Sequence, residues 1–550
     1  MRRIILLILI GISGSSFGQL PESQAIDSIF LEWNNDNVPG CALGIIKDGQ
    51  LIYSRGYGLA NMEYGIPNSA ASVFRIGSTS KQFTAACIVL LAEQGKLSLD
   101  DTLRSFFPDF PEYAEKITVR HLLNHTSGIR DYLQLTYLKG LRDDDFYLDA
   151  DVMKWLTNQD DLNFAPGDEF LYSNSGYWLL GQIVNKVAGK NMAAFAREAI
   201  FMPLGMVDTH FHNDHKQIVK NRASGYAPKE KGDFEISMTT LEMIGDGGIF
   251  TTINDIKKWD DAFYASAVLS RSFWEEMTRQ GVLNNGEVID YASGLEIGTY
   301  KGMNTIRHGG AFVGFRAELL RFPEEHLSIA IFANRADADP WAKAEQVAGL
   351  LLKDKLVEPE EANEEIAQTV APAPEFQLSQ LVGNYEVQPG MNLNLTLVND
   401  SLRALQTWNN ASYPIVRTNH NTFQVPDNAS IRFEFSDLEA GYAQTLAVWQ
   451  GDTETKIKRK KEFDASGLDM GQYAGSYYSK ELDVSYHFKM EDGILKAQIE
   501  DKSAAMACTP SDVDQFTTEL GLVRFQRTDG KIFGFELDSG RVKNLKFQRK

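Results

Sequence analysis

Apolar and polar positions divide this chain into a mixed first part and a strand-rich last part. An apolar run at 41–46, the turn Lys47-Asp48-Gly49-Gln50 and a second run at 51–57 predict a β-hairpin. Much later, 316–321 and 327–334 predict another, followed by an apolar-periodic helix over about 339–356. The pattern between them is mostly helical. Positions 82–94 (QFTAACIVLLAEQ) have the apolar density of a buried helix closed by Gly95, and another strongly apolar helix begins near Trp178. Strands at both ends with helices inserted between them predict an α+β unit: an antiparallel sheet flanked by helices, with a cleft where the helical insert meets the sheet.

Beyond it the pattern changes. Residues 358–375, rich in Glu, Ala and Pro, read as an exposed linker. After the linker, 393–398, 430–435 and 443–449 alternate or run apolar between turn residues, as strands do. Leu381-Val382-Gly383-Asn384-Tyr385 recurs as Tyr473-Ala474-Gly475-Ser476-Tyr477, and each copy ends in a basic stretch, Lys456 to Lys461 and Lys546 to Lys550. This repeat predicts two small antiparallel β-barrels, 376–463 and 464–550. Their expected role is to brace or dimerise the protein. A sharper expectation is that one of their loops reaches the cleft and restricts the substrate.

The first residues bear on compartment. Met1-Arg2-Arg3, the apolar run 4–12 and Ser16-Phe17-Gly18 have the form of a secretory signal (1–18) cut between Gly18 and Gln19. The run is too short for a comfortable membrane span, and no cysteine follows it to carry a lipid. A periplasmic or secreted protein without a membrane anchor is expected. The three cysteines are widely spread, so buried free thiols are expected rather than a disulfide framework. The net charge of −20, without a basic cluster of nucleic-acid-binding scale, argues against a nucleic-acid partner. The nine histidines show no metal-ligand spacing, and no cofactor or metal is expected.

The chemistry starts at Ser78-Thr79-Ser80-Lys81, which puts a hydroxyl nucleophile and an amine one turn apart at a helix start. Unpaired backbone N–H groups there favour an oxyanion, while Lys81 takes the Ser78 proton if its pKa is depressed. Taken alone, Ser-x-x-Lys is weak, and a serine N-cap with a solvated lysine explains it equally well. Two further segments add to it. Tyr172-Ser173-Asn174 follows the turn Ala165-Pro166-Gly167-Asp168, so Tyr172 and Asn174 are expected to face one cleft. His308-Gly309-Gly310-Ala311 lies where a strand should begin, and its glycines would let a substrate carbonyl approach the backbone.

In this order and at these separations the three segments resemble the three motifs of the penicillin-recognising serine hydrolases. The narrower resemblance is to the branch that holds class C β-lactamases, D-alanyl-D-alanine carboxypeptidases, D-aminopeptidases and related esterases. Gly95-Lys96-Leu97-Ser98-Leu99-Asp100-Asp101, the stretch from Ile117 to Gly128 and Gly247-Gly248-Ile249-Phe250-Thr251-Thr252 look like that branch too. The likeness runs over about 23–356, within a hydrolase domain of 19–357. It implies a β-lactamase/transpeptidase-like fold, with Ser78 as acylated nucleophile, Lys81 and Tyr172 as the proton-transfer pair, and Asn174 orienting substrate and Lys81. The oxyanion hole would be the backbone N–H groups of Ser78 and Ala311, beside His308, Gly309 and Gly310. Many β-lactamases carry lysine where His308 stands, and histidine offers no permanent cation. The resemblance therefore implies a peptidase or amidase on D-amino-acid-containing peptides, with a small peptide, amide or ester as substrate. An esterase, a weak β-lactamase and a non-catalytic sensor module are the alternatives. Two C-terminal barrels resemble the lipocalin-like domains of the D-aminopeptidase branch.

Overall fold

The computed structural model describes residues 20–142, 145–229, 232–265, 267–356, 376–388, 391–398, 401–406, 412–426, 428–450, 453–460, 463–500 and 502–550. The signal (1–18) and the linker (358–375) read from the sequence lie outside them. No helix among the described residues is long and apolar enough to cross a membrane.

The first part is built on a six-stranded antiparallel sheet. Its spatial order is Glu296–Tyr300, Met303–Phe312, Phe315–Phe322, Leu327–Ala333, Cys41–Lys47, Gln50–Tyr57. Two hairpins from opposite ends of the segment meet at its centre, where Cys41 pairs with Ala333 and Ile45 with Ile329. These two central strands are buried almost throughout, which is why their sequences run continuously apolar. One sheet face packs on the helices Ser23–Ile29 and Pro340–Leu351, and the other on the helical insert. The turn of the first hairpin puts Asp48 and Gly49 at φ 49° and 71°, as a two-residue turn between right-twisted strands requires.

Two helices of the insert carry the candidate chemistry. Lys81–Glu93 is buried over most of its length and stops before Gly95, at φ 67°. Asn174–Ala188 packs beside it and ends at Gly189, at φ 66°. It begins at Asn174, four residues earlier than its apolar run suggested, because Ser173 holds an extended backbone (φ −136°) that starts the helix there.

The last part holds two β-barrels. The first closes eight strands, from Gly383–Gln388 to Thr453–Arg459. The second arranges nine strands with Gly475–Ser479 paired to Val542–Arg549, and its two edges, Met506–Ala507 and Thr509–Asp512, are neighbours in sequence. The internal repeat has a physical content. Tyr385 donates to the Leu381 carbonyl at 3.1 Å and Tyr477 to the Tyr473 carbonyl at 2.9 Å, so each tyrosine pins the entry of its barrel in the same way. Gly383 and Gly475, at φ 150° and 156°, lie against the guanidinium groups of Arg459 and Arg549, a backbone conformation that favours glycine.

The barrels are attached differently. The core of the second is continuous with that of the helical insert, whereas the first barrel's core is a separate cluster. Arg130 and Glu481 form a buried ion pair at 2.5 Å across the second barrel's junction. Arg130 also donates to the carbonyls of Lys543 (3.1 Å) and Asn544 (3.0 Å), and Tyr486 donates to the Leu138 carbonyl at 2.7 Å. The three cysteines are free and buried.

Candidate active site

Ser78 sits in the one-turn 3₁₀ segment Gly77–Ser80 that feeds the helix Lys81–Glu93. Strand Met303–Phe312 crosses in front of it. Its partner Glu296–Tyr300 pairs only as far as Arg307, so His308 to Phe312 form an edge facing the cleft. The approach is close. A Cβ on Gly77 (φ 50°) would lie 2.8 Å from the Ala311 nitrogen, and one on Gly310 would lie 2.0 Å from the Ile76 carbonyl oxygen. Only glycine at both places lets the amides of Ser78 and Ala311 come side by side. Thr79 fastens the contact by donating to the His308 carbonyl at 3.1 Å.

Lys81 is completely buried. Its Nζ lies 3.2 Å from Ser78 Oγ and donates to Asn174 Oδ1 at 2.9 Å and to the Asp246 carbonyl at 2.6 Å. Burial lowers its pKa to about 7; the Asp246 carboxylate works against this and the Arg541 cation adds to it. Tyr172 places its ring 4.8 Å from Lys81 Nζ. Its hydroxyl is buried without closing a hydrogen bond. Burial raises its pKa well above the usual tyrosine value, and the neighbouring Ser78 hydroxyl and Arg541 only partly offset that. Asn174 is held from behind, because Asp131 accepts from both its backbone N–H (2.7 Å) and its Nδ2 (2.9 Å), leaving Oδ1 for Lys81.

His308 is buried between two partners. The Gly309 carbonyl can only accept, so Nδ1 carries the proton in a 2.6 Å contact, and Nε2 faces the Tyr291 hydroxyl at 2.9 Å. Burial and the Lys81 cation lower its pKa to about 3, so it is neutral at pH 7. All eight residues singled out from the sequence come together here, and all but Lys81 line the cavity of about 670 Å³ in front of Ser78.

Several groups at the site were not singled out from the sequence. Asp131 caps the helix Tyr132–Leu138 through Oδ1 while holding Asn174 through Oδ2. Asp246 accepts from the Tyr132 hydroxyl at 3.0 Å, and burial raises its pKa. Glu296 lines the cavity, its pKa raised to about 7 by burial and the nearby Glu318. The most distant in sequence is Arg541, in the turn between the second barrel's strands Lys531–Ser539 and Val542–Arg549. Its guanidinium lies 3.5 Å from Asp131 Oδ2 and 4.7 Å from the Tyr172 ring centre, and it lines the cavity. Its carbonyl accepts from Asn163 Nδ2 at 2.9 Å. The Glu169–Lys543 ion pair and the Gln134–Ser539 hydrogen bond flank it. Gly540-Arg541 is an ordinary turn sequence, and only the docked barrel gives it a place in the cleft.

The chain is 29% identical to penicillin-binding protein 4* of Bacillus subtilis over 65% of its own length and 81% of that protein's. It is 26% identical to the D-aminopeptidase of Gluconobacter oxydans, over 57% of its own length and 59% of that protein's, so it spans less than two thirds of that relative. The octameric penicillin-binding protein homologue from Pyrococcus abyssi shares the fold, with a TM-score of 0.57 and 22% identity over 87% of this chain and 98% of that one. Residues 26–353 match the Beta-lactamase family model, more than half of the sequence, and the chain belongs to that family.

Proposed function

We propose that this protein is a serine hydrolase that cleaves D-amino-acid-containing peptides or amides through an acyl-enzyme on Ser78. The observation that carries the reading is the buried Lys81 amine, 3.2 Å from Ser78 Oγ and with a pKa lowered to about 7. A lysine so placed is substantially unprotonated near neutral pH and can take the Ser78 proton as the hydroxyl attacks the carbonyl. The amides of Ser78 and Ala311 are the donors for the oxyanion that develops. Tyr172, with its pKa raised by burial, stays a phenol by relaying to the leaving amine the proton that Lys81 took from Ser78, receiving one proton as it gives up another. Asn174 keeps Lys81 pointed at Ser78. Water then takes the place of the amine, and the same groups run in reverse to release the acid.

Two considerations favour an amide over a β-lactam. His308 is neutral and held by Tyr291, so at its own place on the strand edge, where many β-lactamases carry lysine, a substrate carboxylate meets no cation. The relatives also include proteins named for D-aminopeptidase activity. The reading includes export by a cleaved signal at 1–18 and a linker at 358–375 between separately folded units. N-terminal sequencing of the exported protein and limited proteolysis check these two points.

The test is to incubate the protein and its Ser78→Ala variant with D-amino-acid p-nitroanilides, D-Ala-D-Ala peptides, nitrocefin and short-chain p-nitrophenyl esters, following turnover and covalent mass together. Serine-dependent cleavage of a D-amide or D-peptide is the expected result. Turnover of esters alone would replace this reading with an esterase, and a long-lived adduct without turnover would replace it with a sensor.

A further inference from the structure

Four arginines among the described residues are less than a tenth exposed: Arg75, Arg130, Arg307 and Arg321. Three meet carboxylates: Arg130 with Glu481 at 2.5 Å, Arg307 with Glu318 at 3.0 Å and Glu345 at 2.9 Å, and Arg321 with Asp260 at 2.8 Å. Arg75 is the exception. Among the described residues no hydrogen bond or ion pair holds its guanidinium, and its Nε is buried without an acceptor. Its neighbours are ring faces, with Phe312 at 4.9 Å and Phe250 at 5.9 Å. A buried guanidinium flanked by aromatic rings and left without an acceptor is costly to fold around unless something else supplies the oxygen atoms.

Arg75 opens on the Ser78 cavity. It belongs to the short strand Phe74–Arg75, paired to Phe250 and fixed three residues before the nucleophile. It packs against Phe312, the residue after Ala311, and so lies past Ala311 on the strand edge, whereas His308 lies before it. Asp246 is the carboxylate that acts most on Arg75; its Oδ2 accepts from Tyr132, and its Oδ1 is buried without a partner. Arg222 lies 5.0 Å from the Phe250 ring, and its own Nε is also unpartnered. His210 and His212 lie against the same ring, both held towards the neutral form by burial and Arg222. Burial lowers the Arg75 pKa to about 10, which leaves it a cation at pH 7.

We propose that Arg75 is an anion subsite of the catalytic cleft, and that the substrate carries a carboxylate within about one residue's length of the scissile carbonyl, seated on this guanidinium. The inference rests on the Ser78 hydrolase reading and deepens it by naming the substrate's charge. A carboxylate supplies two oxygen atoms in the fork geometry that arginine presents, whereas an ammonium-bearing or neutral group leaves the cation bare. The carboxylate can stand on the acyl side or on the leaving group, and the two sources are separable by substrate design.

The experiment uses the full chain and two matched pairs. Succinyl-D-alanine p-nitroanilide against acetyl-D-alanine p-nitroanilide places the charge on the acyl side; acetyl-D-Ala-D-Ala against its C-terminal amide places it on the leaving group. In one pair the unaltered protein should favour the charged member. Arg75→Gln should lower that preference in kcat/KM by about 10- to 100-fold, chiefly through KM, and Arg75→Lys should restore part of it. A preference in neither pair, or equal losses on both members in Arg75→Gln, would overturn the proposal and leave Arg75 a packing residue bridged by water. Should Arg75→Gln fold poorly, succinate is titrated into the unaltered protein as a competitor of p-nitrophenyl acetate turnover. Competition at millimolar succinate, with none by succinamide, supports the subsite; equal effects of the two overturn it. This ester assay needs only a working Ser78, so failure on D-amides with intact succinate competition would sink the D-amide reading and spare the anion subsite.

Discussion

The two barrels start from the same sequence device and end in different relations to the hydrolase. Each opens with Gly-x-Tyr, pins its tyrosine to a carbonyl four residues back and closes on a basic last strand. Yet only the second shares a core with the helical insert and sends a turn into the catalytic cleft. Between its last two strands the second barrel has Gly540-Arg541, whereas the sequence between the first barrel's last two strands is Gly451-Asp452, outside the described residues. The sequence carries a cation in one copy and an anion in the other. A repeated fold can thus be kept as scaffold in one copy and become part of a site in the other, through a shared core, a buried ion pair and one turn.

That contrast can be broken at several depths. The deepest cut is at the chemistry that the second barrel only borders: Lys81→Met should lower kcat by about 10²- to 10⁴-fold on every substrate, measured by steady-state turnover, without undocking either barrel. Next comes the junction. Glu481→Ala strands a fully buried Arg130, and unfolding in urea should show about 3–5 kcal/mol of lost stability, with the cleft opening as the second barrel loosens. A control cut inside the first barrel, Glu386→Ala, removes a partly exposed pair with Lys460 and should lose no more than about 1 kcal/mol. A comparable loss in both would show that burial at the junction does not set the worth of the Arg130–Glu481 pair.

The subtler test is electrostatic. Lys81 must be unprotonated to accept the Ser78 proton, so kcat/KM should rise with pH through a limb near 7. Arg541 disfavours a second cation close by, so Arg541→Ala should move that limb to higher pH, whereas Asp452→Ala should leave it in place. A limb that stays near 7 in Arg541→Ala would show that burial alone sets the Lys81 pKa. His308, held neutral down to about pH 3, should add no limb between pH 5 and 9.

Local spacing explains what could be read from the sequence. Ser78 and Lys81 share a turn, Tyr172 and Asn174 flank one helix start, and His308 to Ala311 run along one strand edge, so each group is fixed by its own few residues. The sheet was legible for the same reason, since continuous apolar runs such as 41–46 and 327–333 have few other places to go. Asp131, Asp246 and Glu296 were not, because a lone carboxylate in a loop or at a strand start looks the same whether it caps a helix, holds an asparagine, lines a cavity or faces water. Arg541 was hidden more deeply. Its role depends on how a barrel docks, and that depends on Glu481, which in the sequence reads as an ordinary polar residue at a strand turn. The expectation that a barrel loop would reach the cleft could name neither the barrel nor the residue.

The contact of Arg541 with both Asp131 and Tyr172 has a thermodynamic corollary. Linkage is reciprocal: if the docked guanidinium makes it harder for Lys81 to hold a proton, then a proton on Lys81 makes it harder for the barrel to stay docked. The loosening would therefore build as the pH falls towards 7 from above and be complete below it, where the base is silenced. The grip of one domain on another would then report the protonation of a single buried amine.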